Sequence, residues 1–501
     1  MDQDTVEEPV ARPGFVHRLA DLGVPINLVH DLAVRRILLD GRTSTLRLAE
    51  SLAVSPSIIE QVIEQLRDLL YVEITGREGF NLLVTLSGAG RLHAAERMQV
   101  QRYAGAVPVS LETYTAVVAT QESHSDIDQA RMREAFHDLV ISDGLLDELG
   151  PAERTRGAIF LYGPPGTGKS AIAERLIRVH TDPVLVPHAV EVDGQVILVF
   201  DPVVHKPVAD QPDGLDPRWV LCERPCIIAG GELTLSELDL TYEQASGVYL
   251  APLQMQANNG ILVIDDLGRQ SITPEQLLNR WIVPLDRRID YLTLSYGMKF
   301  VVPCTAKIIF STNLEPSDLG DEAFFRRIRS KVLIPGMTDD QFDEVLRRVS
   351  AHMGIRVAND VPSYLRWASR AHGDGDLRPY LPVAVCELLE SICGYEHLEL
   401  RLDRDMVDRV TTLYFTQATA TGSQLHDEVA VPPPPADPRA GDAWVIERRS
   451  GDRRSGGRRS ADHRHADRPT VTTPGLQPVP CAPMIDVERS LGLDLVDATP
   501  F

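Results

Sequence analysis

Eight consecutive residues, Gly163-Pro-Pro-Gly-Thr-Gly-Lys-Ser170, fit the spacing G-x-x-x-x-G-K-[ST] at every fixed position. That spacing describes a loop that wraps phosphates. Gly163, Gly166 and Gly168 let backbone N–H groups turn inward around an anion, and Pro164, Pro165 and Thr167 fill the loop between them. Lys169 is placed to meet the β- and γ-phosphates of a nucleoside triphosphate, and Ser170 to ligate the Mg²⁺ that travels with them. Farther along, the apolar run Ile261-Leu-Val-Ile264 ends in Asp265-Asp266. Asp265 suits the Mg²⁺ shell and Asp266 suits the orientation of an attacking water. The cofactors these residues call for are ATP and Mg²⁺.

Such groups need a scaffold that holds them a few ångströms apart. Ala158–Tyr162 is an apolar strand leading into the loop, and Ala171–Val179 is a helical run leaving it, so the positive end of a helix dipole faces the phosphates. From Arg156 to about residue 420 strand and helix signals alternate, which predicts an α/β fold with a parallel sheet flanked by helices. We divide this part into a core over 151–336 and a helical lid over 337–420. Lys169 and Asp265 lie 96 residues apart. The intervening chain contains Val190–Phe200, where Asp193-Gly194 between apolar runs predicts a β-hairpin inserted on the core, a candidate surface for a partner. A second hairpin is expected over Tyr291–Val302, with its turn at Tyr296-Gly297.

With these motifs in place the chain resembles the AAA+ ATPase superfamily over roughly residues 125–418. The strand Ala306–Asn313 ends in a polar residue where that family has its sensor-1 Asn, so the resemblance gives Asn313 a part in holding the hydrolytic water. Asp321–Ile328 is similar to the arginine-finger segment, which assigns Arg327, with Arg326 beside it, to the γ-phosphate bound by a neighbouring subunit. Gly375-Asp-Leu-Arg-Pro379 precedes a lid helix as sensor 2 does, which makes Arg378 its cation. The hairpin before the sensor-1 strand resembles the pre-sensor-1 hairpin type, which includes MoxR-like proteins. The resemblance implies a P-loop ATPase that forms a homo-oligomer, expected as a hexamer, and remodels a protein client. One departure is Asp266, where the family usually has Glu. It keeps open a nucleotide-gated switch or scaffold with little turnover.

Residues 15–100 predict a small domain of their own. Helices are expected at Leu28–Leu39, Ser44–Leu52 and from Pro56, with strands at Tyr71–Ile74 and Asn81–Thr85 around a turn at Thr75–Gly79, and a last helix follows. This resembles a winged helix-turn-helix and raises the alternative of an ATP-controlled, DNA-binding transcription regulator. Charge argues against it: the stretch has nine Lys/Arg against ten Asp/Glu, and the third helix presents Glu60, Glu64 and Asp68 against Arg67. Phosphate contacts require cations, so protein docking or a structural role is favoured over nucleic acid.

The rest of the chain bounds the answer. Residues 1–14 are expected to be disordered. Residues 101–150 form a connector that turns helical over Ile127–Leu149. Residues 421–501 form a disordered Pro/Arg-rich tail with Pro432–Pro435, a basic stretch Arg448–Arg468 of eight Arg and three Asp, and an amphipathic piece at Met484–Val496. The formal charge of −22 excludes a bulk polyanion binder. No apolar run reaches the length of a membrane span, and no signal peptide is visible. Six cysteines in 501 residues are no disulfide framework, which points to a reducing cytoplasm. Cys222 and Cys226, with His188 and His205 upstream, are part of a zinc set at most, and buried thiols are the simpler expectation. Cys386 and Cys393 read as lid core. Tyr242 and Tyr249 are candidate pore aromatics for which ordinary packing is favoured.

Overall fold

The computed structural model describes residues 13–122, 127–270, 272–316, 325–372, 376–415 and 442–444. Its centre is a sheet of five parallel strands, in the order Cys226–Ala229, Ile261–Ile264, Lys307–Thr312, Ile159–Tyr162, Ser330–Leu333. Strands buried on both faces must be apolar throughout, and Ile261–Ile264 is buried at every position. On one face Phe160, Leu262 and Phe310 pack with Leu277 and Leu278 of the short helix Pro274–Arg280 and with Trp281, which joins it to the next helix, Ile282–Arg287. On the other face Leu161, Val263 and Ile309 pack with Ile172 and Leu176 of the helix Lys169–Leu176, and with Met132 and Leu149. The fold is α/β, a parallel sheet flanked by helices. The strand order sets the strand before Asn313 directly between the strand that enters the glycine-rich loop and the strand that runs into Asp265.

The stretch read from sequence as a connector is more integrated than its composition suggested. Val109–Ser110 is a strand that pairs in parallel with Ala189–Val192, and Leu111–Thr120 is a helix whose Tyr114 is buried. The helical part is also two helices, Gln129–Ala135 and Asp143–Arg154, not one run. The Asp193-Gly194 hairpin is present, with Ala189–Val192 paired to Gln195–Leu198. It belongs to a second five-stranded sheet with Val109–Ser110, Val248–Leu250 and Thr241–Glu243. Its apolar side turns inward while the tip at Asp193-Gly194 stays exposed. Val190, Val196 and Ile197 are fully buried inside the chain, and its tip is tied to the other hairpin, because Tyr296 Oη donates to Asp193 Oδ2 at 2.6 Å.

Residues 15–100 hold helices Ile26–Asp40, Thr45–Leu52 and Pro56–Asp68, an antiparallel sheet and the helix Gly88–Val100. Ser44 caps the second helix, accepting from Arg47 N, and Pro56 opens the third in the position where its missing N–H costs nothing. The strands differ from expectation. Val72–Glu78 runs through the anticipated turn with a register slip between Ile74 and Gly76, and the chain reverses at Gly79 and Phe80. A third strand, Arg42–Ser44, joins the far edge of Asn81–Leu86.

This domain shares one apolar core with Val107, Ala189, Val196 and Val248 of the neighbouring layer. Two buried arginines fasten the seam. Arg35 donates to Gln101 O and Oε1, both at 2.7 Å, and Gln101 Nε2 reaches Gly247 O. Arg218 forms a bidentate pair with Asp216 and also donates to Leu22 O at 2.9 Å and Pro108 O at 3.3 Å. Backbone bonds cross as well: Asp216 N to Pro13 O, Phe15 N to Gly214 O, Arg102 N to Ser246 O and Val107 N to Leu52 O.

The lid has helices Asp339–Met353, Val361–His372, Tyr380–Glu396 and Arg404–Tyr414, with Cys386 and Cys393 in its core. It is not purely helical. Arg356–Ala358 pairs with Arg401–Leu402, and also with Asp442–Trp444 from the stretch expected to be disordered. The Arg-rich stretch, Met484–Val496 and residues 1–12 lie outside the described residues. Among the described residues no helix is long and apolar enough to cross a membrane.

Candidate nucleotide site

The glycine-rich loop 163–168 leaves the sheet between the strand Ile159–Tyr162 and the helix Lys169–Leu176. Gly163 has φ +141° and Gly166 φ +77°, both in the region that favours glycine. A Cβ on Gly163 would overlap Ile334 O, and one on Gly166 would overlap the ring of Tyr380. Lys169 Nζ donates to Gly163 O at 3.0 Å, Pro164 O at 2.8 Å and Asn313 Oδ1 at 2.7 Å. Burial pushes its pKa down, Asp265 and Asp266 pull it back up, and Arg378 adds to the lowering.

Asp265 stands at the end of its buried strand. Its Oδ2 accepts from Ser170 Oγ at 2.5 Å, and its Oδ1 accepts from Asp266 N. Asp266 turns out of the strand with φ +52°, a conformation that Asp tolerates better than most residues. Its Oδ1 lies 3.4 Å from Asn313 Nδ2. Asn313 therefore bridges Lys169 and the second acid. Five residues expected from sequence, Lys169, Ser170, Asp265, Asp266 and Asn313, thus form one connected polar cluster. The Ser170 hydroxyl beside the Asp265 carboxylate is a hard-oxygen pair of the kind Mg²⁺ takes. The glycine-lined loop, with a helix starting at Lys169, fits a polyphosphate.

Sequence reasoning passed over two residues here. Gln270 Nε2 donates to Asp265 O at 2.8 Å while its Oε1 accepts from Gly268 N, so it closes the turn that carries both acids. Tyr380 lies against Gly166. No motif announces a glutamine four residues past an acid, or a tyrosine from a separate lid.

The three arginines are placed differently. Arg378 comes from the lid and lies among the charges that act on Lys169. Arg326 is exposed, while Arg327 donates to Asp286 Oδ2 at 2.8 Å. Residues 317–324, the start of the expected finger segment, and Gly375 lie outside the described residues. Elsewhere, His205 has both ring nitrogens engaged: Nδ1 accepts from Asp201 N, which leaves Nε2 as the donor to Gln256 O. That ring is a structural crosslink and has no nitrogen left for zinc. Burial pushes the Cys222 thiol up to about 12. Tyr249 is buried with its hydroxyl against Ser295 Oγ, and Tyr242 leans on it at 5.0 Å between ring centroids.

Residues 338–412, which make up most of the lid, match the family DUF8689, described as a domain of unknown function. No curated protein matches the chain. Among solved structures, it is similar to the RuvB Holliday junction branch migration motor of Thermotoga maritima, at 14% identity over 58% of this chain and 72% of that one, with a TM-score of 0.33. It is also similar to NtrX from Brucella abortus, at 17% identity over 59% of each chain, with a TM-score of 0.36. NtrX in complex with ATP matches at 14% identity over 62% of this chain and 65% of that one, with a TM-score of 0.35.

Proposed function

We propose that this chain is an AAA+ ATPase that binds ATP with Mg²⁺, hydrolyses it at subunit interfaces and uses the lid to remodel a protein client. The observation that carries the reading is the connected cluster Ser170–Asp265–Asp266–Asn313–Lys169, built from three neighbouring strands. Lys169 and the loop amides would hold the phosphates, and Ser170 and Asp265 would hold the metal. Bound Mg²⁺ supplies neutralisation of the charge that develops on the transferring phosphoryl group. Asp266, steadied by Asn313, would orient the water. Arg378 would approach the phosphates from the lid, and Arg327 or the exposed Arg326 would serve a neighbouring subunit in a ring, with a hexamer as the expected form.

The winged-helix resemblance of residues 15–100 fits protein docking better than operator reading. Ser57 Oγ and Gln61 Nε2, on the third helix, both donate to His17 O of the same chain, and exposed Glu60, Glu64 and Asp68 dominate what is left. The core shared with Ala189 and Val196 also means that this domain is best tested for DNA binding within the whole chain.

The test is ATP hydrolysis per protomer across a protein concentration series, with Lys169→Ala as control. A specific rate that climbs with concentration and vanishes in the control supports a shared site. A rate equal to the control at every concentration, with ATP still bound, favours the gated switch instead.

A further inference from the structure

Two P-loop glycines face the lid, and a third faces the chain that leads to it. Gly163 packs on Ile334 O, at the exit of the last core strand where the chain departs for the lid. Gly168 faces the Pro379 ring, and Gly166 lies so close under the Tyr380 ring that only the missing Cβ permits the contact. The chain is pinned at both passages, since Ile334 N donates to Tyr162 O and Met337 N donates to Leu377 O, each at 2.8 Å. Behind Tyr380 stand further rings. Tyr414, at the end of the last lid helix, is 6.2 Å from it between centroids, and Phe415 packs edge-on to Tyr414 at 5.2 Å.

We propose that Tyr380 is a positioning residue that couples the state of the phosphate loop to the lid. The inference rests on the ATP-binding reading above and adds to it the part through which binding is felt. Phosphates compete for Lys169 Nζ with Gly163 O, Pro164 O and Asn313 Oδ1, so loading the site shifts the loop to which Gly163 and Pro164 belong. A ring already in van der Waals contact with Gly166 has no slack. Close-packed groups pass on a displacement rather than absorb it, and this one is passed to the N-terminus of the helix Tyr380–Glu396 and, through Tyr414, to the last lid helix. Tyr380 is 38% exposed, so shortening it removes the contact without opening a buried core.

The experiment compares the full-length chain with Tyr380→Ala, Tyr380→Phe and Lys169→Ala. Hydrogen exchange of the helix Tyr380–Glu396 is followed with and without a non-hydrolysable ATP analogue, alongside nucleotide affinity and steady-state hydrolysis. In the wild type and Tyr380→Phe the analogue changes exchange along that helix. In Tyr380→Ala the change disappears and kcat falls at least about tenfold, as for other lid-gated steps, while the affinity for the analogue stays within about threefold and KM follows affinity. A Tyr380→Ala chain whose lid still responds as the wild type does overturns the proposal and leaves ATP binding standing. A wild-type chain that binds no nucleotide, and matches Lys169→Ala, overturns the parent reading and this one together.

Discussion

Replacing Arg218 with Met should release the N-terminal domain from the rest of the chain. The guanidinium and the Asp216 carboxylate have side chains only 4% exposed, and the guanidinium also satisfies Leu22 O and Pro108 O. Methionine fills similar volume but leaves Asp216 buried without its counter-charge and two carbonyls without a donor. Breaking one half of a buried pair costs about 3–5 kcal/mol. At about 1.4 kcal/mol per tenfold, that is roughly a hundred- to a few-thousand-fold rise in the population of the opened seam. The assay is native-state hydrogen exchange at the amides that cross the seam: Phe15, Arg102, Val107 and Asp216. These should accelerate together by that factor, while Leu262 and Val263 in the central sheet keep their rates. A paired Asp216→Leu/Arg218→Met chain removes the stranded charge and should recover most of the protection, since an apolar pair of similar volume often equals a buried ion pair. If Arg218→Met leaves the four amides unchanged, or accelerates Asp216 alone, the seam is not held in the way described.

Other outcomes follow from the same geometry. Asp266→Asn keeps the backbone conformation and ATP binding but should lower kcat by about 10²–10⁴-fold, the usual contribution of a positioned acid or base; a single-turnover assay measures it. Asp266→Glu places a less tolerant side chain at φ +52° and should not raise turnover above the wild type in the same assay. His188 and His205 both have pKa values lowered by burial, so between their folded values and the ordinary 6.5 the folded chain is neutral where the unfolded chain is protonated. Stability should therefore fall as pH drops through about 6.5, and urea midpoints at pH 7.5 and 5.5 should differ less in His205→Asn than in the wild type. Cys222, Cys304 and Cys386 have thiols held up to about 12 by burial, so iodoacetamide at pH 8 should leave all three unmodified in the native chain and alkylate them in urea, as read by mass spectrometry.

The site was largely legible because its chemistry is local. Gly163–Ser170 and Ile261–Asp266 each bring their polar groups to the cluster from a few adjacent residues, and Asn313 follows from the end of a buried strand. What the sequence hid depends on pairing across long separations. Val109–Ser110 reads as linker until it meets Ala189–Val192, 80 residues on. Arg218 looks like any charged loop residue until Leu22 O and Pro108 O converge on it. The hairpin at Asp193 was recognised from its turn, yet its alternating pattern could not say whether the apolar side faced a partner or the chain's own N-terminal domain. Tyr380 carries no signal because its partner is a glycine, which offers no side chain to match.

The bond between Tyr296 and Asp193 has a mechanical side. One hairpin tip belongs to the layer that Arg218 and Val196 join to the N-terminal domain. The other belongs to Lys299–Pro303, four residues short of the strand that delivers Asn313. This solvent-exposed bond thus ties the layer that shares a core with the N-terminal domain to the hairpin that precedes the strand ending at Asn313, so the outer domain and the central sheet are joined at this point.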